Sequence, residues 1–134
     1  MKVDVQLRSL PGTEAAVGWA GGHTVVADRP EGKAGGQGLG FNGAQLLALA
    51  LGGCFCNDLR YVAEELSVKI LEIAVDVRLE LSGEPLVANS ARMSVFCKLA
   101  DGADPTPVIE RAKTSCFVSN TLMRGVSVDI STSG

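Results

Sequence analysis

The sequence predicts an α+β fold in a single domain over residues 1–134, in the order strands, long central helix, strands, helix, strand. Three observations carry this expectation. Apolar and polar residues alternate over residues 70–81 and 91–99, the period of strands with one buried face. Between them and the N-terminal strands lies GAQLLALALGGCFC, apolar nearly all round, followed by the amphipathic NDLRYVAEEL. The chain has 134 residues, 46% apolar and 20% charged, enough for one core, too few for two, and too apolar for disorder.

Each element has its own signal. Lys2 to Arg8 alternates with Val3, Val5 and Leu7 on one face and reads as a strand. Glu14–Ala20 and His23–Ala27 flank Gly21-Gly22, a hairpin signal. Arg29 to Gly40 (RPEGKAGGQGLG) is too rich in glycine for regular structure, and a loop of that length is often functional. Asn42 is a plausible N-cap for a helix running to about Leu66. Its first half should be buried on most sides. Ile70–Leu81 reads as a strand, Ser82-Gly83-Glu84-Pro85 as a turn, and Ala91–Leu99 as a further alternating strand. Asp104-Pro105 opens a helix with Asp as cap and Pro in the first position, and Val108, Ile109, Ala112 and Cys116 follow at helical spacing. Gly125 punctuates, and Val126, Val128 and Ile130 read as a last strand.

The formal net charge is −3, with acids and bases mixed and no basic run, which argues against nucleic acid as the partner. The N-terminus MKVDVQLRSL has no apolar core of a signal peptide, and the apolar stretch Leu46–Cys56 is too short to span a bilayer. A cytoplasmic protein that engages no membrane is expected. Cytoplasmic thiols stay reduced, so four cysteines point to redox chemistry, metal binding or core packing rather than a disulfide framework.

The four cysteines differ in context. Cys97 lies on the buried face of a strand and reads as core. Cys54 and Cys56 are two apart on a helix and face opposite ways, so they neither chelate one metal nor form a disulfide together. With His23 the only histidine and no CxxC pair, a Cys54, Cys56 and His23 metal site is the least supported reading, and no metal is expected. Cys54 shares a face with Leu47, Ala50, Leu51 and Asp58. Gly52-Gly53 precede it at a cost of about 1 kcal/mol each relative to alanine, which suggests the close approach of another backbone there, or simply tight helix packing. Cys56 faces Leu49 and Arg60 and is the weaker candidate for chemistry. Cys116 ends an apolar helical face. Taken alone it reads as core more readily than as catalytic, and spacing does not bring it to Cys54.

The segment Gly40-Phe-Asn-Gly-Ala-Gln-Leu-Leu-Ala-Leu-Ala-Leu-Gly-Gly-Cys54 resembles the central helix of the OsmC/Ohr family, in which a Gly-x-x-Pro-x-Glu-Leu-type start leads to a small-small-Cys at mid-helix. Cys116-Phe-Val-Ser-Asn-Thr-Leu-x-x-Gly-Val-x-Val resembles its second motif, Cys-Pro-x-Ser, followed by a closing strand. The element order agrees as well, so the resemblance spans nearly the whole chain. It implies an intertwined homodimer, with two central helices back to back, antiparallel sheets wrapped around them, and active sites at the interface. It further implies a thiol-dependent peroxidase without cofactor. Cys54 would reduce an organic hydroperoxide and become a sulfenic acid, Cys116 would resolve it as a disulfide, and a dithiol such as a lipoylated protein would reduce that.

The family also implies an arginine that lowers the cysteine pKa, held by a glutamate of the central helix. Here the glutamate slots carry Ala44 and Gln45; Gln45 can hydrogen-bond an arginine without charge. Arg29 is the first candidate for that arginine and Arg8 the second. Asp58, one turn after Cys54, raises the thiol's pKa unless a cation pairs with it. Phe117 stands where the family usually has proline. These departures mark a divergent branch and leave a second expectation open, a non-catalytic redox-sensing or small-ligand-binding protein.

Overall fold

The computed structural model describes residues 1–133. Among them are β1 (Gln6–Ser9), β2 (Ala16–Ala20), β3 (His23–Ala27), α1 (Gly43–Glu65), β4 (Ile70–Ser82), β5 (Val87–Leu99), α2 (Thr106–Ser115) and α3 (Phe117–Arg124). The chain divides into two compact units, residues 1–47 and 48–134. The expected α+β class with antiparallel sheets and one long helix is present.

In the first unit β1, β2 and β3 form an antiparallel sheet in sequential order. The β2–β3 hairpin closes at Gly21-Gly22, with Ala20 opposite His23, as expected. β1 is shorter than its alternation suggests. Gln6 already pairs with Trp19, and β2 then turns into its hairpin, so Val3 and Val5 have no partner strand among the described residues and stay exposed. The glycine-rich loop leaves β3 and returns beside it at Phe41, whose N–H donates to the Val26 carbonyl. Gly40 is required there because a Cβ would collide with that carbonyl. Asn42 caps α1 as expected. Its Oδ1 accepts the Gln45 N–H, and Gln45 Oε1 accepts the Asn42 N–H, each at 2.9 Å, a reciprocal capping box.

In the second unit β4 and β5 form a long antiparallel hairpin, from Ile70 opposite Leu99 to Ser82 opposite Val87. β5 begins earlier than expected because pairing with β4 continues to the turn. Ile73, Val75 and Val77 stand opposite Cys97, Val95 and Met93 and share one face. That face packs on a core of Leu51, Phe55, Leu59, Val62 and Ala63 from α1, with Ile70, Leu99, Val108, Ala112 and Cys116. By length and composition alone α1 would pass for a membrane span. Here its buried stripe packs in the interior of an α+β unit. The expectation that the first half is buried on most sides is corrected, since Leu49, Ala50 and Gly53 are exposed in the single chain; Tyr61 of the amphipathic second half is exposed, as expected.

Three further expectations change. Gly52, and not Gly53, is the point of close approach. A Cβ on Gly52 would lie 2.9 Å from Val77 Cγ2, whereas one on Gly53 meets nothing. The neighbour is a strand side chain rather than another backbone. Gly52→Ala should therefore destabilise the protein by about 1–3 kcal/mol, the usual range for overpacking, measured by denaturant melting. The helix ending at Cys116 is followed at once by α3, which closes at Gly125 (φ 79°) with the Gly125 N–H on the Thr121 carbonyl. Lastly, Val126–Ile130 is not a strand. Among the described residues no strand pairs with it, and its apolar side chains are exposed. An alternating segment without a partner has no ladder to join.

Candidate active site

Helix α1 presents Cys54 and Asp58 one turn apart on one face. Asp104 accepts the Thr106 N–H at 3.0 Å, but the cap of α2 is Pro105, one residue later than expected and without a side-chain cap bond; α2 delivers Cys116 at its C-terminal end. Cys116 is extended (φ −64°, ψ 112°) between α2 and α3 and fully buried. This brings together what spacing left apart. The two sulfurs and an Asp58 carboxylate oxygen all lie within 4.8 Å of one another, and the Cys54 thiol donates to Asp58 Oδ2 at 3.6 Å. Cys54 and Asp58 are half-buried, so the cluster has a closed side at Cys116 and an open side on α1. Cys56 and His23 are not in it. Cys97 is core, as expected, and burial pushes its thiol pKa up.

Burial also pushes the Cys116 thiol up, to about 11, although the Ser119 N–H at the start of α3 works the other way. Cys54 and Asp58 add smaller upward contributions. Cys116 is therefore a neutral thiol at physiological pH. The folded protein keeps that proton to about 11, whereas an unfolded chain releases it near 9.0, so the reduced protein should lose stability as pH rises through this window. Native alkylation with iodoacetamide at mild pH should label Cys54 and Cys56 about tenfold or more faster than Cys97 and Cys116, read by peptide mass spectrometry.

The other expected residues lie in the first unit. Arg29 is held by Asp28, with Nη2 at 3.2 Å from Oδ1 and also donating to the Glu14 carbonyl at 2.5 Å. Arg29 Nε is buried with no hydrogen-bond partner among the described residues. Asp28 escaped sequence reasoning, yet it is the buried acid around which the loop is built. Its Oδ1 accepts the Arg29 N–H, and its Oδ2 accepts the N–H groups of Gln37 and Leu39 at 3.1 and 3.0 Å. The Leu39 N–H above all holds its carboxyl below the usual range, against the opposing effect of burial. Its only sequence signal is an aspartate at the mouth of a glycine-rich loop, where side-chain-to-backbone bonds favour turns. Gln45 has its acceptor oxygen on the Asn42 N–H, so it serves the helix cap. Arg8 lies over Trp19, 5.8 Å from the ring centroid.

The profile of the OsmC-like protein family matches residues 35–131, a span that holds Cys54, Asp58 and Cys116. The chain belongs to the OsmC-like family. Solved OsmC-like structures share its fold. An OsmC-like protein from Mycoplasma pneumoniae is 16% identical, with a TM-score of 0.75 over 92% of this chain and 88% of that one. An organic hydroperoxide resistance protein OsmC from Legionella pneumophila is 17% identical, with a TM-score of 0.63 over 91% and 89%. The organic hydroperoxide resistance protein of Bacillus subtilis is 21% identical, with a TM-score of 0.57 over 90% of each. Curated protein sequences give no match. Within the OsmC-like fold, Cys54 thus sits at mid-helix and Cys116 at a helix junction.

Proposed function

We propose that this OsmC-like protein is a cytoplasmic, thiol-dependent peroxidase for organic hydroperoxides. The observation that carries the reading is the meeting of the Cys54 and Cys116 sulfurs within 4.8 Å, one half-exposed and one buried. The Cys54 thiolate attacks the distal peroxide oxygen. The O–O bond breaks, the alcohol leaves with a proton, and Cys54 becomes a sulfenic acid. The buried Cys116 thiol then condenses with it, forming the S–S bond and releasing water. A dithiol, such as a lipoyl group, takes over the disulfide and returns both thiols. The names of the Legionella pneumophila and Bacillus subtilis relatives, hydroperoxide resistance proteins, support this reaction class.

The family resemblance implies an activating arginine, and Arg29, anchored by Asp28, is the residue we propose for that role. A homodimer completes the fold in this reading. A second copy covers the exposed Leu49, Ala50 and Tyr61 face of α1 and offers an edge to residues 126–130. One experiment tests the proposal. The reduced protein is treated with one equivalent of cumene hydroperoxide and examined by native and peptide mass spectrometry. A dimer carrying one Cys54–Cys116 disulfide per chain is expected. No such disulfide at stoichiometric oxidant would sink the reading.

The Cys54–Asp58 hydrogen bond favours a second reading, a redox sensor or small-ligand binder that oxidises without turning over. Sustained turnover with a dithiol reductant rejects it.

A further inference from the structure

The thiol pair is also two-thirds of a ligand set. We propose that in the reduced protein Cys54, Cys116 and Asp58 bind one thiophilic divalent cation, zinc or cadmium, with the fourth position open to solvent.

Three observations carry this. The first is distance. All three ligand atoms lie within 4.8 Å of one another, and Cys54 Sγ is 3.6 Å from Asp58 Oδ2. Around a tetrahedral zinc with bonds of about 2.3 Å to sulfur and about 2.0 Å to oxygen, the S···O edge is about 3.5 Å and the S···S edge about 3.8 Å. The pair on α1 is already at its edge length, and Cys116 needs to close on its two partners by at most about 1.3 Å.

The second is charge. The ion pairs among the described residues are Arg29–Asp28, Arg111–Glu65 and Lys113–Glu110. Asp58 is in none of them, and its hydrogen bond comes from the Cys54 thiol. A half-buried carboxylate beside two thiols, with no ion-pair partner among the described residues, favours a cation between them. Two thiolates and one carboxylate select zinc or cadmium over magnesium or calcium, which prefer all-oxygen shells.

The third is rigidity. Cys54 and Asp58 share one turn of a core helix, and Cys116 is fully buried between α2 and α3, so the set is held by packed elements. The half-exposed side of Cys54 and Asp58 gives the ion an entry path. Binding releases the two thiol protons to solvent as two metal–sulfur bonds form. The site differs from the Cys54, Cys56 and His23 set considered from sequence, because the partners come from Asp58 and Cys116.

The reading stands apart from the peroxidase proposal, since it concerns the reduced protein without oxidant. The test titrates the metal-free, reduced full chain with zinc chloride against a chromophoric chelator, and with cadmium chloride while recording the sulfur-to-metal ultraviolet band. One ion per chain with two thiolate contacts is expected, unaffected by excess magnesium. Cys54→Ser and Cys116→Ser should each weaken zinc binding about a hundredfold or more and Asp58→Asn about tenfold, while Cys56→Ser leaves it unchanged. The Cys54–Cys116 disulfide form should bind none. Absence of zinc binding by the wild-type chain, a cadmium band of one thiolate or none, or equal loss in Cys56→Ser would overturn the assignment. The cadmium band is read on the wild-type chain, so it decides the matter even if a variant misfolds. Failure here leaves disulfide formation untouched, and failure of disulfide formation leaves metal binding untouched.

Discussion

Replacing Cys54 with serine should lower peroxide turnover by about three orders of magnitude or more, while Cys116→Ser should preserve the first oxidation and abolish the second. The asymmetry follows from the site. In the proposed reaction Cys54, half-buried on α1, is the thiol that would meet the peroxide; Cys116 is fully buried, with its thiol pushed up to about 11, and would react only with what is formed beside it. A hydroxyl is a poor nucleophile for peroxide oxygen, so Cys54→Ser removes the bond-forming step outright. In Cys116→Ser the Cys54 sulfenic acid has no neighbouring thiol and should accumulate. A dimedone adduct of one per chain after a single equivalent of hydroperoxide checks this by mass spectrometry. Equal losses of the first oxidation in both variants would contradict the assignment of roles. Cys56→Ser is the control, since Cys56 lies outside the cluster.

What the sequence made legible and what it hid divide along a physical line. The α1 helix and its Asn42 cap, the Gly21-Gly22 hairpin and the β4–β5 alternation rest on local periodicity and turn chemistry. They appear within a few residues of their expected bounds. The segment 126–130 departs from its alternation because alternation records that one face is buried without recording what buries it, and no strand among the described residues does. The helix break at Cys116 was hidden because helical spacing runs into it and neither glycine nor proline marks it. The meeting of Cys54 with Cys116 depends on tertiary packing across separate helices, which residue spacing cannot encode. For the same reason only the family resemblance paired them. Asp58 was legible, since positions four apart share a helical face. Asp28 was not, because its partners are backbone N–H groups of a loop whose path no pattern dictates.

Asp28 therefore carries the second large expectation. Asp28→Asn keeps the shape of the side chain but removes the charge, and one of its two oxygens becomes an NH2 group. The acceptors for the Arg29, Gln37 and Leu39 N–H groups and the ion pair with Arg29 cannot all survive that exchange. Buried N–H groups left without acceptors are costly, so the loop from residue 29 to 40 should open. Limited proteolysis within that loop should rise about tenfold or more, because cleavage follows the population of the open form. The sign with pH is fixed by the direction of the shift. The folded carboxyl lies below its ordinary 3.8, so its stabilising contribution is fully present above that value and is lost as pH falls through the folded pKa. The wild-type loop should accordingly keep its protection at neutral pH and lose it only in acid. An acid-active protease such as pepsin, run across that range, should find the variant open throughout and the wild type opening only toward the bottom. The resemblance implies that Arg29 supports the reaction of Cys54, so Arg29→Ala should slow Cys54 oxidation with the loop still closed, and Asp28→Asn should slow it as well. Unchanged oxidation rates in both variants would remove Arg29 from the mechanism while leaving the loop's dependence on Asp28 intact.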